Sequence, residues 1–192
     1  MKVLYRDVVT MTTRKPRIGE ENGKDYHFQT EDNFLKMIEE NMFVEHVSFS
    51  GNRYGLPKTS IQPKKDEIMV LIVEDKGYTN IKNFQKENPW LKVKTIFLDI
   101  EQSILKENML KRGDSLEMIE KRISTDNISK NFNKLLIKKK DTSDILIIKE
   151  LLNLELLKTK VEKFILPDTN LLLLVGPSGS GKDSLKNHLL ER

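Results

Sequence analysis

The chain contains no cysteine. Disulfides and thiolate metal centres are thereby excluded, and the composition is compatible with a cytoplasmic home. Histidine is nearly as scarce. His27, His46 and His188 stand far apart on different segments, without the spacing that metal ligation needs, and read as structural or surface residues. Long apolar runs are missing too: the opening MKVLYRDVV offers no apolar core for a signal peptide. The apolar run Leu171 to Val175 falls far short of the roughly 20 residues that span a bilayer. Charge of one sign is also lacking. With 33 basic against 29 acidic residues, the net charge of +4 is too small an excess to point to nucleic acid. No internal repeat or low-complexity tract occurs. The expectation is a soluble cytoplasmic protein with no nucleic-acid or membrane partner, monomeric or dimeric. With 192 residues, 38% hydrophobic and 32% charged, it forms one well-buried domain over 1–192.

What is present is a recurrence of short runs rich in Val, Ile and Leu: Asp7 to Met11, Ile68 to Val73, Val93 to Leu98, Ile145 to Ile148 and Leu171 to Val175. They are continuous rather than alternating, so both faces of each strand should be buried. Between them lie Glu101 to Arg112, Asp114 to Leu136 and Glu150 to Phe164, with apolar residues at helical spacing. Asp114 followed by Glu117 reads as a capping box with an acidic cap. Strands alternating with helices predict an α/β fold with a parallel sheet covered on both faces. The part from Lys15 to Pro63 differs: glycines and prolines surround one helix, Glu31 to Asn41, and short alternating strands, which suggests a small lobe inserted on the sheet. The charge run Lys138 to Lys140 reads as a solvated loop.

Gly176 to Lys182, GPSGSGK, follows an apolar strand and precedes the helical pattern LKNHLL. Glycines at this spacing let backbone N–H groups turn inward around phosphate oxygens, the lysine reaches the terminal phosphates, and the helix adds its N-terminal dipole. Where such loops commonly continue with a hydroxyl residue that helps hold Mg²⁺, this chain has Asp183, with Ser184 next. A carboxylate there either holds magnesium through water or repels the nucleotide. The sequence permits both.

A second phosphate receptor is legible near the front. TMTTRKPRIGEENGKDY, Thr10 to Tyr26, places Arg14 and Arg17 around a proline and ends in Asp25 and Tyr26. An arginine fork matches phosphate oxygens bidentately and a tyrosine hydroxyl adds a neutral donor.

These motifs, together with FVEHVSFSGNRYG and RGDSLEMIEKR, resemble the guanylate kinases over nearly the whole chain. The resemblance implies a three-layer P-loop kinase fold with a central parallel sheet, a monophosphate-binding lobe at about 15–63 and a helical lid at about 108–131. It implies that Arg14, Arg17, Tyr26 and Tyr54 hold the acceptor phosphate, with Thr10 where Ser is usual. It assigns guanine's adjacent donors to Glu45 and a place near the metal and guanine to Glu74. The donor ATP would lie on Gly176, Pro177, Ser178, Gly179, Ser180, Gly181, Lys182, Asp183 and Ser184, with Mg²⁺ at Asp183 and Ser184. Lys182, Arg14, Arg112 and Arg122 would be catalytic. Some positions depart from the family. Leu56 stands where Ser or Thr faces the base, Asn108 replaces the first arginine of the lid pattern, and Lys149 stands where Asn is usual. The GKDSL stretch also resembles the ribose 1,5-bisphosphate kinases.

The order of the parts is reversed relative to those kinases, in which the P-loop strand comes first. Joining Arg192 to Met1 restores helix, loop and strand, so the chain resembles a circular permutant, with 171–192 the displaced first strand and helix and the original ends fused through Leu166 to Asn170. A truncated tandem and a swap of the loop arm between two chains give the same order. The resemblance implies transfer of the γ-phosphoryl of ATP to GMP or dGMP, giving ADP and GDP or dGDP. The alternatives are a binding module of the same shape without turnover and a kinase for a ribose phosphate.

Overall fold

The computed structural model describes residues 4–49, 51–139, 141–150, 153–165 and 168–191. The chain runs β1 (Leu4–Asp7), β2 (Met11–Thr12), β3 (His27–Phe28), α1 (Glu31–Glu39), β4 (Phe43–Phe49) and β5 (Asn52–Pro57), then a 3₁₀ turn (Lys58–Ile61). It continues as β6 (Glu67–Ile72), α2 (Asp75–Glu87), β7 (Val93–Leu98), α3 (Gln102–Lys111), α4 (Leu116–Thr125) and α5 (Ile128–Lys138). It closes with β8 (Ile145–Ile148), α6 (Leu154–Ile165), β9 (Leu171–Val175) and α7 (Lys182–Leu190). Of the expected segments, Leu166 and Pro167 of the joining stretch, Lys140, and Leu151 and Leu152 of the helix expected from Glu150 lie outside the described residues. So do Met1 and Arg192, the ends whose joining restores the usual order.

The larger sheet has the order β1-β6-β9-β7-β8, and its pairings are parallel. The last strand of the described chain is therefore the central one. Its burial follows from its composition. Leu171 to Leu174 and Val175 are all 0% exposed, and alternate side chains enter different cores. Leu172 and Leu174 join Leu105, Met109, Ile119, Val161, Leu185 and Leu189 on the face covered by α3, α4, α6 and α7. Leu171, Leu173 and Val175 join Phe97, Tyr78, Ile81 and Phe132 on the face of α2 and α5. An unbroken apolar run is what a strand between two helical layers requires.

The smaller sheet, order β3-β2-β5-β4, carries the lobe. The run expected as one strand from Asp7 to Met11 is split between the two sheets. Val8 N donates to Val70 O at 3.0 Å as a last rung beside β6, and three residues on Met11 pairs with Gly55 in the other sheet. The turn between them serves the change of sheet.

Two helical expectations are corrected. The segment from Asp114 to Leu136 is two helices, because Asp126 leaves the helical conformation and accepts the N–H of Ile128 at 3.0 Å. The cap of α4 is Ser115, whose hydroxyl accepts Met118 N–H at 3.3 Å; Asp114 is instead held by Arg112 and Arg122. The lysine run is not a solvated loop throughout: Lys138 ends α5, and Lys139 pairs with Asp144. Among the described residues no helix is long and apolar enough to cross a membrane.

Candidate active site: a phosphate loop and an arginine lobe

The loop between β9 and α7 turns on Gly179 (φ +79°) and Gly181 (φ +85°), left-handed conformations that favour glycine. A Cβ on Gly179 would stand 2.9 Å from the carbonyl oxygen of Leu105 and 3.0 Å from Met109 Cγ, so the loop tip lies directly against α3. Asn108 of α3 adds a hydrogen bond from Nδ2 to Gly179 O at 2.9 Å. The residue that departs from the arginine pattern thus fastens the loop.

Lys182 Nζ donates to the carbonyls of Gly176 and Pro177, each at 2.7 Å, which folds the ammonium across the loop. Burial pulls its pKa below the ordinary lysine value, opposed by the negative charges of Asp183, Asp126 and Glu74. Arg112 adds a repulsive cation. Glu74 comes into this neighbourhood through register: Val73 N donates to Leu174 O at 3.0 Å, so Glu74, the cap of α2 that follows, lies close to the start of the loop.

Asp126 was missed by sequence reasoning. Its Oδ2 accepts the N–H of Ser178 at 2.7 Å, occupying an amide that the sequence assigned to a phosphate, while Arg122 Nη1 reaches Ser178 Oγ at 3.3 Å. Arg112 and Arg122 both engage Asp114, whose carboxyl is held below its ordinary pKa by the Arg112 hydrogen bond. Beside the loop a cavity of about 470 Å³ is lined by Asn108, Arg112, Lys182, Asp183 and Ser184 among others. A further opening of about 720 Å³, walled by Asp99, Glu101, Ile104, Lys149 and Glu150, shares Asn108 with it.

In the lobe, Arg14 makes a fork on Glu20, with Nη1 3.0 Å from Oε2 and Nη2 2.8 Å from Oε1. Its guanidinium lies 5.4 Å from the Tyr26 ring centroid, and Tyr26 meets Tyr54 edge-on at 6.2 Å. The Glu20 hydrogen bond raises the Arg14 pKa, and the Tyr54 hydroxyl contributes. Glu20 is held low in turn by Arg14 and by the Arg17 N–H, which it accepts at 2.7 Å. Thr12, fully buried, accepts Arg14 N–H at 3.1 Å and donates to Arg53 O at 2.8 Å. Glu20 and Thr12 were not singled out from the sequence, although an acidic residue three places after Arg17 is a signal for a counter-ion. Thr10 contributes its carbonyl to His27 N–H at 2.8 Å, and the Arg17 side chain is exposed. Glu45 faces α2, and Leu56, across from it in β5, is 2% exposed within the core. The structure thus gathers Arg14, Tyr26 and Tyr54 on the lobe, and Lys182, Asp183, Arg112 and Glu74 around the loop.

The guanylate kinase family model matches residues 4–153. The chain belongs to the guanylate kinase family. Among curated guanylate kinases, that of Onion yellows phytoplasma is 39% identical over 125 residues, covering 62% of this chain and 56% of the relative. That of Wolinella succinogenes is 34% identical over 131 residues, covering 64% of this chain and 60% of the relative. The human guanylate kinase is 37% identical over 110 residues, 56% of each chain. The chain thus spans little more than half the length of these relatives. A crystal structure of guanylate kinase from Anaplasma phagocytophilum aligns at 18% identity and a TM-score of 0.49, over 83% of this chain and 73% of that one. The family match ends at 153, and the glycine-rich loop at 176–182 lies beyond it.

Proposed function

We propose that this chain transfers the γ-phosphoryl of ATP to GMP or dGMP, with its parts in circularly permuted order relative to the guanylate kinases. The observation that carries the reading is the position of β9. It pairs with β6 and β7 of the same chain, which sets the phosphate loop beside Glu74 although the loop follows every other family motif in sequence. That pairing favours a permuted order over a tandem whose second unit begins at Leu171.

The attacking group in such a transfer is already an anionic phosphate oxygen, so no strong general base is needed. Positioning and charge neutralisation supply the catalysis. Arg14, Arg17, Tyr26 and Tyr54 hold the acceptor phosphate, Thr10 borders them, and Glu45 accepts from the guanine edge. The amides of 176–182 take the donor phosphates, which displaces the Asp126 carboxylate from Ser178. Lys182 then turns from the loop carbonyls to the terminal phosphates, and Arg112 and Arg122 neutralise charge between donor and acceptor. The oxygen donors beside Lys182, Asp183 and Ser184, are exposed at the cavity and suit a hard cation. Mg²⁺ held there would add neutralisation of the phosphate charge. The lobe at about 15–63 and the lid at about 108–131 close over the site and exclude water.

A coupled assay with ATP and a panel of GMP, dGMP, AMP and ribose phosphates tests the reading. GMP and dGMP should support ADP formation. Turnover with a ribose phosphate alone would reassign the acceptor, and GMP binding without ADP would make the chain a binding module.

A further inference from the structure

Rested on the reading of Glu45 as the guanine-recognising residue, a second residue comes into view. Glu45 lies on β4 opposite Leu56 of β5, and Leu56 is buried in the apolar core. Among the described residues no hydroxyl of β5 bonds the carboxylate. The support comes instead from α2. Asn80 Nδ2 donates to Glu45 Oε2 at 2.9 Å. Gly77, buried one turn earlier, leaves the space in which the other oxygen lies: a Cβ there would be 2.9 Å from Glu45 Oε1. One carboxylate oxygen is anchored and the other is seated against a bare turn of helix.

We infer that Asn80 is a positioning residue for the acceptor base. Its amide fixes the orientation in which Glu45 can accept the adjacent N1–H and amino donors of guanine. A neutral amide suits the task, because it donates a hydrogen bond without neutralising the carboxylate, whereas a lysine there would compete with the base for its charge. An unanchored glutamate would have its side-chain torsions frozen only on binding, which weakens recognition. Each carboxylate oxygen has more than one acceptor direction, so the Asn80 bond leaves room for guanine.

Steady-state kinetics with ATP and either GMP or IMP test this, since IMP keeps N1–H and lacks the exocyclic amine. Asn80→Ala should raise the KM for GMP by about tenfold, change kcat little, and reduce the preference for GMP over IMP. Asn80→Gln, which keeps the amide donor, should recover part of both. Asn80→Asp has the same shape and sets a carboxylate against Glu45, so it should weaken GMP further than alanine does; it serves also if the alanine variant does not fold. Thermal melting accompanies each variant. GMP turnover in the parent protein, with KM and base preference unchanged in folded Asn80→Ala or Asn80→Asp, would overturn the role of Asn80 alone. A parent protein that neither binds nor turns over GMP would overturn the acceptor reading and this inference with it.

Discussion

Lys182 shows how one side chain reports its surroundings. Held by two loop carbonyls, lowered by burial and ringed by Asp183, Asp126 and Glu74, it is a cation whose partners a nucleotide phosphate would replace. Arg14→Ala removes both the Glu20 fork and the stacking on Tyr26, so it should raise the KM for GMP roughly 10-fold or more with a smaller change in kcat; initial-rate measurements check the split. Asp126 makes the opposite case. Its charge occupies the Ser178 amide, so Asp126→Asn should lower the KM for ATP, and a KM that stays the same or rises would show that the contact does not compete with phosphate. The contact of Arg14 with Tyr26 and the turns at Gly179 and Gly181 follow contiguous motifs whose chemistry is local, whereas the Arg17 side chain is left exposed. Glu20 lay inside such a motif and went unassigned. Asp126 and Asn80 could not be read, because their partners are chosen by tertiary packing across distant segments.

At the scale of elements, periodicity located β7, β8 and β9 at the bounds observed, since continuous apolar runs leave a buried strand little freedom in register. It failed where the chain changes sheet after Val8 and where α4 gives way to α5, both decided by hydrogen bonds rather than apolar spacing. Asp144 joins several elements: Lys82 of α2 donates to it at 3.0 Å, and Lys139 beyond α5 pairs with it. Burial alone would raise its pKa, but the hydrogen bonds from Lys139 and Lys82 prevail and hold it below the ordinary value. Asp144→Asn should therefore lower stability by about 1–2 kcal/mol, measured by urea unfolding at neutral pH. Asp114, Glu20 and Asp144 all have depressed carboxyl pKa values in the folded chain. Their contribution is complete above the ordinary carboxylate pKa and is lost as pH falls through the depressed values. The melting temperature should hold from neutral pH to about 5 and decline below about 4, and the decline should shrink in Asp144→Asn.

The whole molecule is organised around a strand that the described chain supplies last. The proposed permuted order rests on the position of GPSGSGK at the end of the given sequence and on β9 lying between β6 and β7. In either order β9 is far in sequence from both β6 and β7, so contact order predicts little difference in folding rate between the two. Moving residues 171–192 ahead of residue 1 leaves the β6-β9-β7 pairings available, so the rearranged chain should retain activity within roughly tenfold and refold at a similar rate in stopped-flow experiments. Loss of activity in a folded rearranged chain would count against the proposed order. The account as a whole turns on phosphoryl transfer at the loop. The most direct measurement is ADP formation from ATP with and without GMP, in the parent protein and in Lys182→Ala. GMP-dependent ADP formation that drops by about 10²–10⁴ in Lys182→Ala, with the variant still folded, is the predicted result; GMP-dependent turnover at a near-normal rate in Lys182→Ala, or none in a parent protein that binds both nucleotides, would contradict it.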